Sequence, residues 1–200
     1  SRIGQRGLLY GLTGKDIYAE MYRWLVYRMY EHAMSDPDNY GGIWGFDADF
    51  ALQYVMPGWD LVEESPVITD RDRLRITRIL FEFISDCVSH VGNVSRRQVR
   101  HNHSTYAALG LLYAGTYYSK YYDACEADDW LKLSRRCLSV QAEAYKPSED
   151  CGHYQWRTHV HTMRYALTTG DTAFFDNGCA QRAADYAILT SDNLGCGVPN

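Results

Sequence analysis

Arg100-His101-Asn102-His103-Ser104-Thr105-Tyr106, running on into Ala107-Ala108-Leu109-Gly110, is the stretch that decides how this chain is read. Its first part gathers an amide, two imidazoles and a phenol. Its second part is apolar and continues through Leu111, Leu112 and Ala114 to about Tyr122, the signature of a loop turning into a buried helix. Asn102 stands where an N-cap belongs, so a capped helix with a polar first turn accounts for it on one reading. On the other reading the same turn carries chemistry, because His103 and Tyr106 lie three apart, Asn102 and Tyr106 lie four apart, and both spacings share a helix face. Five of the seven histidines fall between His101 and His161, which concentrates the polar chemistry in this part of the chain.

Outward from this stretch the pattern is helix after helix. A first helix is predicted over 16–34, with Ile17, Met21, Trp24 and Leu25 at helical spacing, ended by Ser35-Asp36-Pro37-Asp38-Asn39 and Gly41-Gly42. A second begins near Asp47 and meets Pro57-Gly58, which should break or kink it before Trp59 and Asp60. Thr69-Asp70-Arg71-Asp72 reads as an N-cap with an acidic first turn, opening a third helix to about Ser89. Beyond 102–122, helices are predicted over 128–145 and 154–168, and a seventh after Gly170-Asp171 runs to about Leu189. No strand-like alternation of useful length interrupts them. The expected fold is therefore all-α, a single domain over 1–200 of antiparallel helical hairpins forming part of an (α/α) toroid, an incomplete ring. Long loops rich in Trp, His, Asp and Gly favour the toroid over an irregular solenoid, because binding residues gather on such loops.

Composition narrows the function classes. With 46% hydrophobic residues, 200 positions suffice for a sizeable core. No run approaches the roughly 20 apolar residues that span a bilayer, so no membrane partner is expected. A net charge of -5 argues against a general nucleic-acid binder. It still permits an anionic substrate if arginines such as Arg96, Arg97 and Arg100 line a cleft. The 17 tyrosines and five tryptophans suit stacking on sugars as well as packing between helices. Cysteines at 87, 125, 137, 151, 179 and 196 form no CxxC pair, which disfavours a structural zinc site. They allow up to three disulfides, with free buried thiols the equal alternative.

Two further constellations accompany the opening one. Glu149-Asp150-Cys151-Gly152-His153-Tyr154-Gln155-Trp156, with His159 and His161, again lies where a loop enters a helix. Glu149 and Asp150 cap that helix on the plain reading. On the functional reading Tyr154 supplies an acid/base hydroxyl, Trp156 a stacking surface and His159 a second proton-transfer group. His159 and His161, two apart, cannot share one cleft on a regular helix, and His159 is the expected inward residue. Trp59-Asp60 after Pro57-Gly58 is the other, offering an aromatic and a carboxylate, or simply a kinked packing helix.

The run 100–110 resembles the Asn-His segment of polysaccharide lyases, in particular the toroidal domain of the heparinase II/III and alginate lyase superfamily. There an Asn-His pair opens a cleft-lining helix, and a catalytic Tyr follows some fifty or more residues later at another helix entrance. Here Tyr154 follows Asn102 by 52 residues, with Tyr165 as the alternative phenol. The residue-level resemblance covers 100–110 and 149–165. The β-sandwich that usually closes such enzymes has no counterpart in the sequence, and seven helices fall short of a ring, so a fragment of a longer enzyme or a reduced version of the fold is expected.

The resemblance implies β-elimination on a uronic-acid-containing polysaccharide, with no cofactor and no metal, and a secreted or periplasmic setting. Asn102 would hydrogen-bond the sugar carboxylate, with His103 or Arg100 neutralising it. Tyr154 or a neutral His such as His159 would remove the proton, and a Tyr or His would protonate the leaving oxygen. Trp59, Asp60, Tyr106 and Trp156 would complete the substrate contacts with Arg100. A phenol with an ordinary pKa of about 10 needs nearby cations to act as a base. Three rivals stand beside this. One is a glycoside hydrolase using carboxylates among Asp60, Glu149 and Asp150. Another is a non-catalytic helical scaffold. The last is a zinc site from His101, His103, His159 and His161.

Overall fold

The computed structural model describes residues 2–35, 47–92, 102–147 and 152–191. Arg100, His101, Arg96, Arg97, Glu149, Asp150, Cys151 and Cys196 lie outside the described residues. The helices are α1 (Arg2–Thr13), α2 (Asp16–Ser35), α3 (Asp47–Val62), α4 (Asp70–Gly92), α5 (Asn102–Tyr122), α6 (Cys125–Ala142), α7 (Gly152–Thr169), α8 (Ala173–Asp176) and α9 (Cys179–Leu189). The expectation of an all-α chain holds for the described residues.

The helices form two layers. α1 packs on α3, α3 on α5 and α5 on α7, while α2 packs on α4 and α4 on α6; chain neighbours join the layers. Directions follow from which residues meet. His103 meets Asp49 near one end of α3 and α5, and Trp59 donates to Tyr117 at 2.9 Å towards the other, so these helices run parallel. Gly115 abuts Ala127 and Leu131 while the Cys137 thiol meets the Ser104 carbonyl, so α6 returns antiparallel. Arg157 acts on Tyr106 and Arg164 lies over Tyr113, which makes α7 parallel to α5. The consequence for function is that α3, α5 and α7 all begin at the same end of the array.

α5 is the centre. Nearly every residue from Asn102 to Tyr118 is buried, as expected of a helix surrounded by others. Its small residues let neighbours approach, since a Cβ at Gly110 would meet Leu52 at 2.9 Å. A second, smaller cluster of Phe174, Cys179, Ala183 and Ala142 seats α8 and α9. Cys125, Cys137 and Cys179 are free thiols.

Three local features show how sequence and packing interact. The predicted cap of α4 forms: Thr69 Oγ1 accepts from the Asp72 backbone at 3.2 Å, and Asp72 accepts from the Thr69 backbone at 3.2 Å. Burial alone would raise the Asp72 carboxyl, but bonds from Thr69, Tyr27 and Arg23 hold it down at about 2 and tie α2 to α4.

Pro57 does not break α3. It removes one backbone donor, yet the helix continues to Val62 because the turn beyond it is core: Trp59 and Val62 are 0% exposed. α1 has no counterpart among the predicted helices. Gly4, Gly7 and Gly11 lower its intrinsic propensity, but they share the face that crosses α3. A Cβ at Gly7 would stand 2.3 Å from the Gly58 Cα, and one at Gly4 would stand 2.3 Å from the Tyr54 carbonyl oxygen.

In an open helix Gly→Ala stabilises by about 1 kcal/mol. Here backbone blocks the added methyl, and Gly7→Ala is expected to destabilise by about 1–3 kcal/mol. A urea-denaturation midpoint decides the sign, and a rise in stability would disprove the close crossing.

Candidate functional site

The converging starts of α3, α5 and α7 hold a polar cluster inside a hydrophobic layer. On α3, Asp49, Leu52, Gln53 and Met56 follow helical spacing and are all buried, so a carboxylate and an amide sit on an otherwise apolar face. Asp49 is 0% exposed. Its Oδ1 accepts the Phe50 backbone N–H at 2.9 Å and its Oδ2 accepts from His103 Nδ1. Nδ1 is the donor in that pair, which fixes the plane of the imidazole. Phe50 packs edge-on against His103 with centroids 4.4 Å apart, and against Tyr106 at 4.3 Å.

α7 brings the next group. His161 lies edge-on to the Tyr106 ring at 4.2 Å, and its Nδ1 is 2.9 Å from Thr105 Oγ1. Thr105 gives its single hydroxyl proton to the Asn102 carbonyl at 2.8 Å. His161 Nδ1 must therefore be the donor to Thr105, leaving Nε2 as an acceptor. The Gln53 amide nitrogen faces that Nε2 at 3.4 Å, a long contact, and the Gln53 oxygen accepts from Arg164 at 2.7 Å. The sequence Arg164, Gln53, His161, Thr105, Asn102 is thus a continuous donor chain across three helices. Burial, then Arg164 and Arg157, push His161 down to about 3, so the ring is neutral at physiological pH. Tyr106 is shifted the other way. Burial raises its phenol, opposed by Arg157, while Tyr54, Asp49 and Tyr154 add to the rise. It therefore keeps its proton and can donate it in a hydrogen bond.

The candidates named from sequence are divided by this geometry. Asn102 and His103, 2% and 8% exposed, stand in the first turn of α5 with Tyr106 one turn on. Tyr154 is exposed at the start of α7, close enough to act on Tyr106. His159 does not join them. It stacks on Phe174 at 5.6 Å, while His161 faces α3 and α5. The expected inward histidine is therefore reversed: the two do diverge, but His161 is the one at the cluster. Trp156 is exposed on the His159 side of α7.

Trp59 is fully buried, stacked near Tyr22 and bonded to Tyr117, and offers no platform to a sugar. Asp60 is exposed but eleven residues beyond Asp49, about 16 Å along the axis of α3. Tyr165 packs in the main core. Among the described residues no three His, Cys, Asp or Glu side chains are placed to hold a metal. His159 and His161 face opposite ways, so the four-histidine zinc set is not assembled by its described members. Asp49, Gln53, Thr105, Arg157 and Arg164 went unnoticed in the sequence. The signal that was present is Asp49 and Gln53 four apart on the face shared with Leu52 and Met56.

Comparison with family models, with curated proteins and with solved structures finds no match for this chain.

The depressed histidines have a consequence for stability. Both fall from an unfolded value of 6.5, His159 to about 4 and His161 to about 3. Below 6.5 the unfolded chain takes up protons that the folded chain refuses. Their contribution is complete above pH 6.5 and is lost as pH falls towards those folded values, at about 1.4 kcal/mol per pH unit for each histidine. Urea unfolding of His161→Gln should show a shallower loss between pH 6.5 and 4.5 than the parent. Equal slopes would mean that His161 is not buried neutral.

Proposed function

We propose that the protein is a polysaccharide lyase that cleaves a uronic-acid-containing polymer by β-elimination, on a helical array forming part of an (α/α) toroid. The observation that carries this reading is the Asp49-oriented His103 in the first turn of α5, beside the protonated Tyr106 and facing Tyr154 and Arg157 on α7. The starts of α3, α5 and α7 add the positive ends of three helices at that place, which favours a carboxylate.

In this reading the sugar carboxylate rests against the first turn of α5, where Asn102 and His103 stand. The Asn102 amide, and His103 when its Nε2 also carries a proton, donate to the negative charge that grows on the carboxylate as the α-proton leaves, an interaction stronger in the transition state than in the ground state. Tyr154 removes that proton, with Arg157 one turn further along α7. Tyr106, held protonated by burial, delivers a proton to the departing glycosidic oxygen. His159 and Trp59 take no part, and Asp60 is too far along α3 to pair with a carboxylate at this end, which removes support from a two-carboxylate hydrolase.

Incubation with alginate, glucuronan, heparin-like and chondroitin-like polymers, followed in the ultraviolet for the unsaturated uronate, tests this directly. One polymer should give rising absorbance, and His103→Ala and Tyr154→Phe should each slow it by about 10²–10⁴-fold. Absence of absorbance on every polymer contradicts the proposal. So does activity that survives His103→Ala and Asn102→Ala but is lost in Asp60→Asn.

A further inference from the structure

Arg157, His161 and Arg164 succeed one another on α7 at spacings of four and three, which places them on one face. That face looks onto α3 and α5, since His161 meets Thr105 and Arg164 meets Gln53. The two arginines are seven residues apart, about 10 Å along the helix. Arg164 is unusually well held. Its guanidinium lies 5.6 Å from the ring centroids of both Tyr54 and Tyr113, and it donates to Gln53 at 2.7 Å. Gln53 is itself 0% exposed, so the anchor is a core residue.

This pinned cation has no carboxylate partner among the described residues, and neither has Arg157. Four arginines elsewhere are paired, Arg23 with Asp72, Arg28 with Glu31, Arg73 with Asp70 and Arg78 with Glu82. The one buried carboxylate of the cluster, Asp49, is already engaged by His103 and the Phe50 backbone. In a chain of net charge -5, one helix face thus carries two arginines without a carboxylate partner among the described residues, the second of them partly buried between tyrosine rings. Partly desolvated cations of that kind are stabilised by an incoming anion, and a side chain already fixed loses little entropy on binding one.

We infer that Arg164, clamped between Tyr54 and Tyr113, forms an accessory subsite for a second negatively charged sugar of an acidic oligosaccharide, separate from the sugar held at the first turn of α5. The inference rests on the lyase reading for the nature of the ligand. Arg164 is a binding residue here and takes no part in proton transfer. A ligand long enough to reach both arginines gains from the subsite, and a single uronate does not.

Titration calorimetry on the intact protein, Arg164→Met and Arg164→Lys tests this, using monomeric glucuronate and hexasaccharides of mannuronate, of glucuronate and from heparin. At least one hexasaccharide should bind the parent, with affinity reduced about tenfold or more in Arg164→Met, the equivalent of one lost charge-assisted hydrogen bond. Arg164→Lys should recover part of the loss, and the monosaccharide should be unaffected. Salt should weaken hexasaccharide binding less in Arg164→Met than in the parent. Equal hexasaccharide affinity in parent and Arg164→Met overturns the subsite, as does failure of every hexasaccharide to bind the parent. Arg164-dependent binding without any ultraviolet product would leave the subsite standing and remove the lyase reading. Product formation with Arg164-independent binding would do the reverse.

Discussion

A carboxylate with 0% exposure inside a helical layer needs a partner, and the rest of the site is arranged around the one that Asp49 finds. An ionised group left unpaired there would cost several kcal/mol, more than most single contacts return. His103 and the Phe50 backbone satisfy it together. The pairing fixes the first turn of α5 against the first turn of α3, because a slide of either helix would strip the carboxylate of its donor. The same contact sets the orientation of the imidazole. One interaction therefore settles both the register of the inner layer and the direction in which His103 can act.

A second tie extends this to α7. The chain from Arg164 through Gln53, His161 and Thr105 to the Asn102 carbonyl crosses α3, α5 and α7, and each member uses its donor and acceptor capacity in one consistent sense. Such networks are costly when incomplete and specific when complete. Its charged end is Arg164 and its other end is the turn that carries Asn102 and His103. The rings of His103, Phe50, Tyr106 and His161 follow one another between the two ties, with successive centroids 4.2 to 4.4 Å apart.

Much of the fold was legible from spacing alone. The cap at Thr69 and Asp72, the apolar run of α5 and the helical character of 154–168 are local properties, and local properties survive folding. The failures have a common cause in tertiary contact. Glycines at 4, 7 and 11 look like breakers until α3 is laid across them, and Pro57 looks like a stop until the burial of Trp59 and Val62 is known. Asp49 reads as an ordinary acid near a helix start, because nothing local says that its face turns inward. The choice between His159 and His161 needed the packing order. One flank of α7 meets α5 and the other meets α8, and periodicity cannot tell which is which. The polar turn at Asn102 and His103 was visible at once, whereas its partners came from distant helices.

The two ties assign definite protons to two rings, and nitrogen-15 NMR of histidine-labelled protein reads them most directly. At neutral pH, Nδ1 should carry a proton in both His103 and His161. His161 should also show a bare Nε2 and no tautomer exchange, as its single donor path to Thr105 requires. An Nε2-protonated His161, or rapid exchange between tautomers in either ring, would contradict the arrangement on which the site depends.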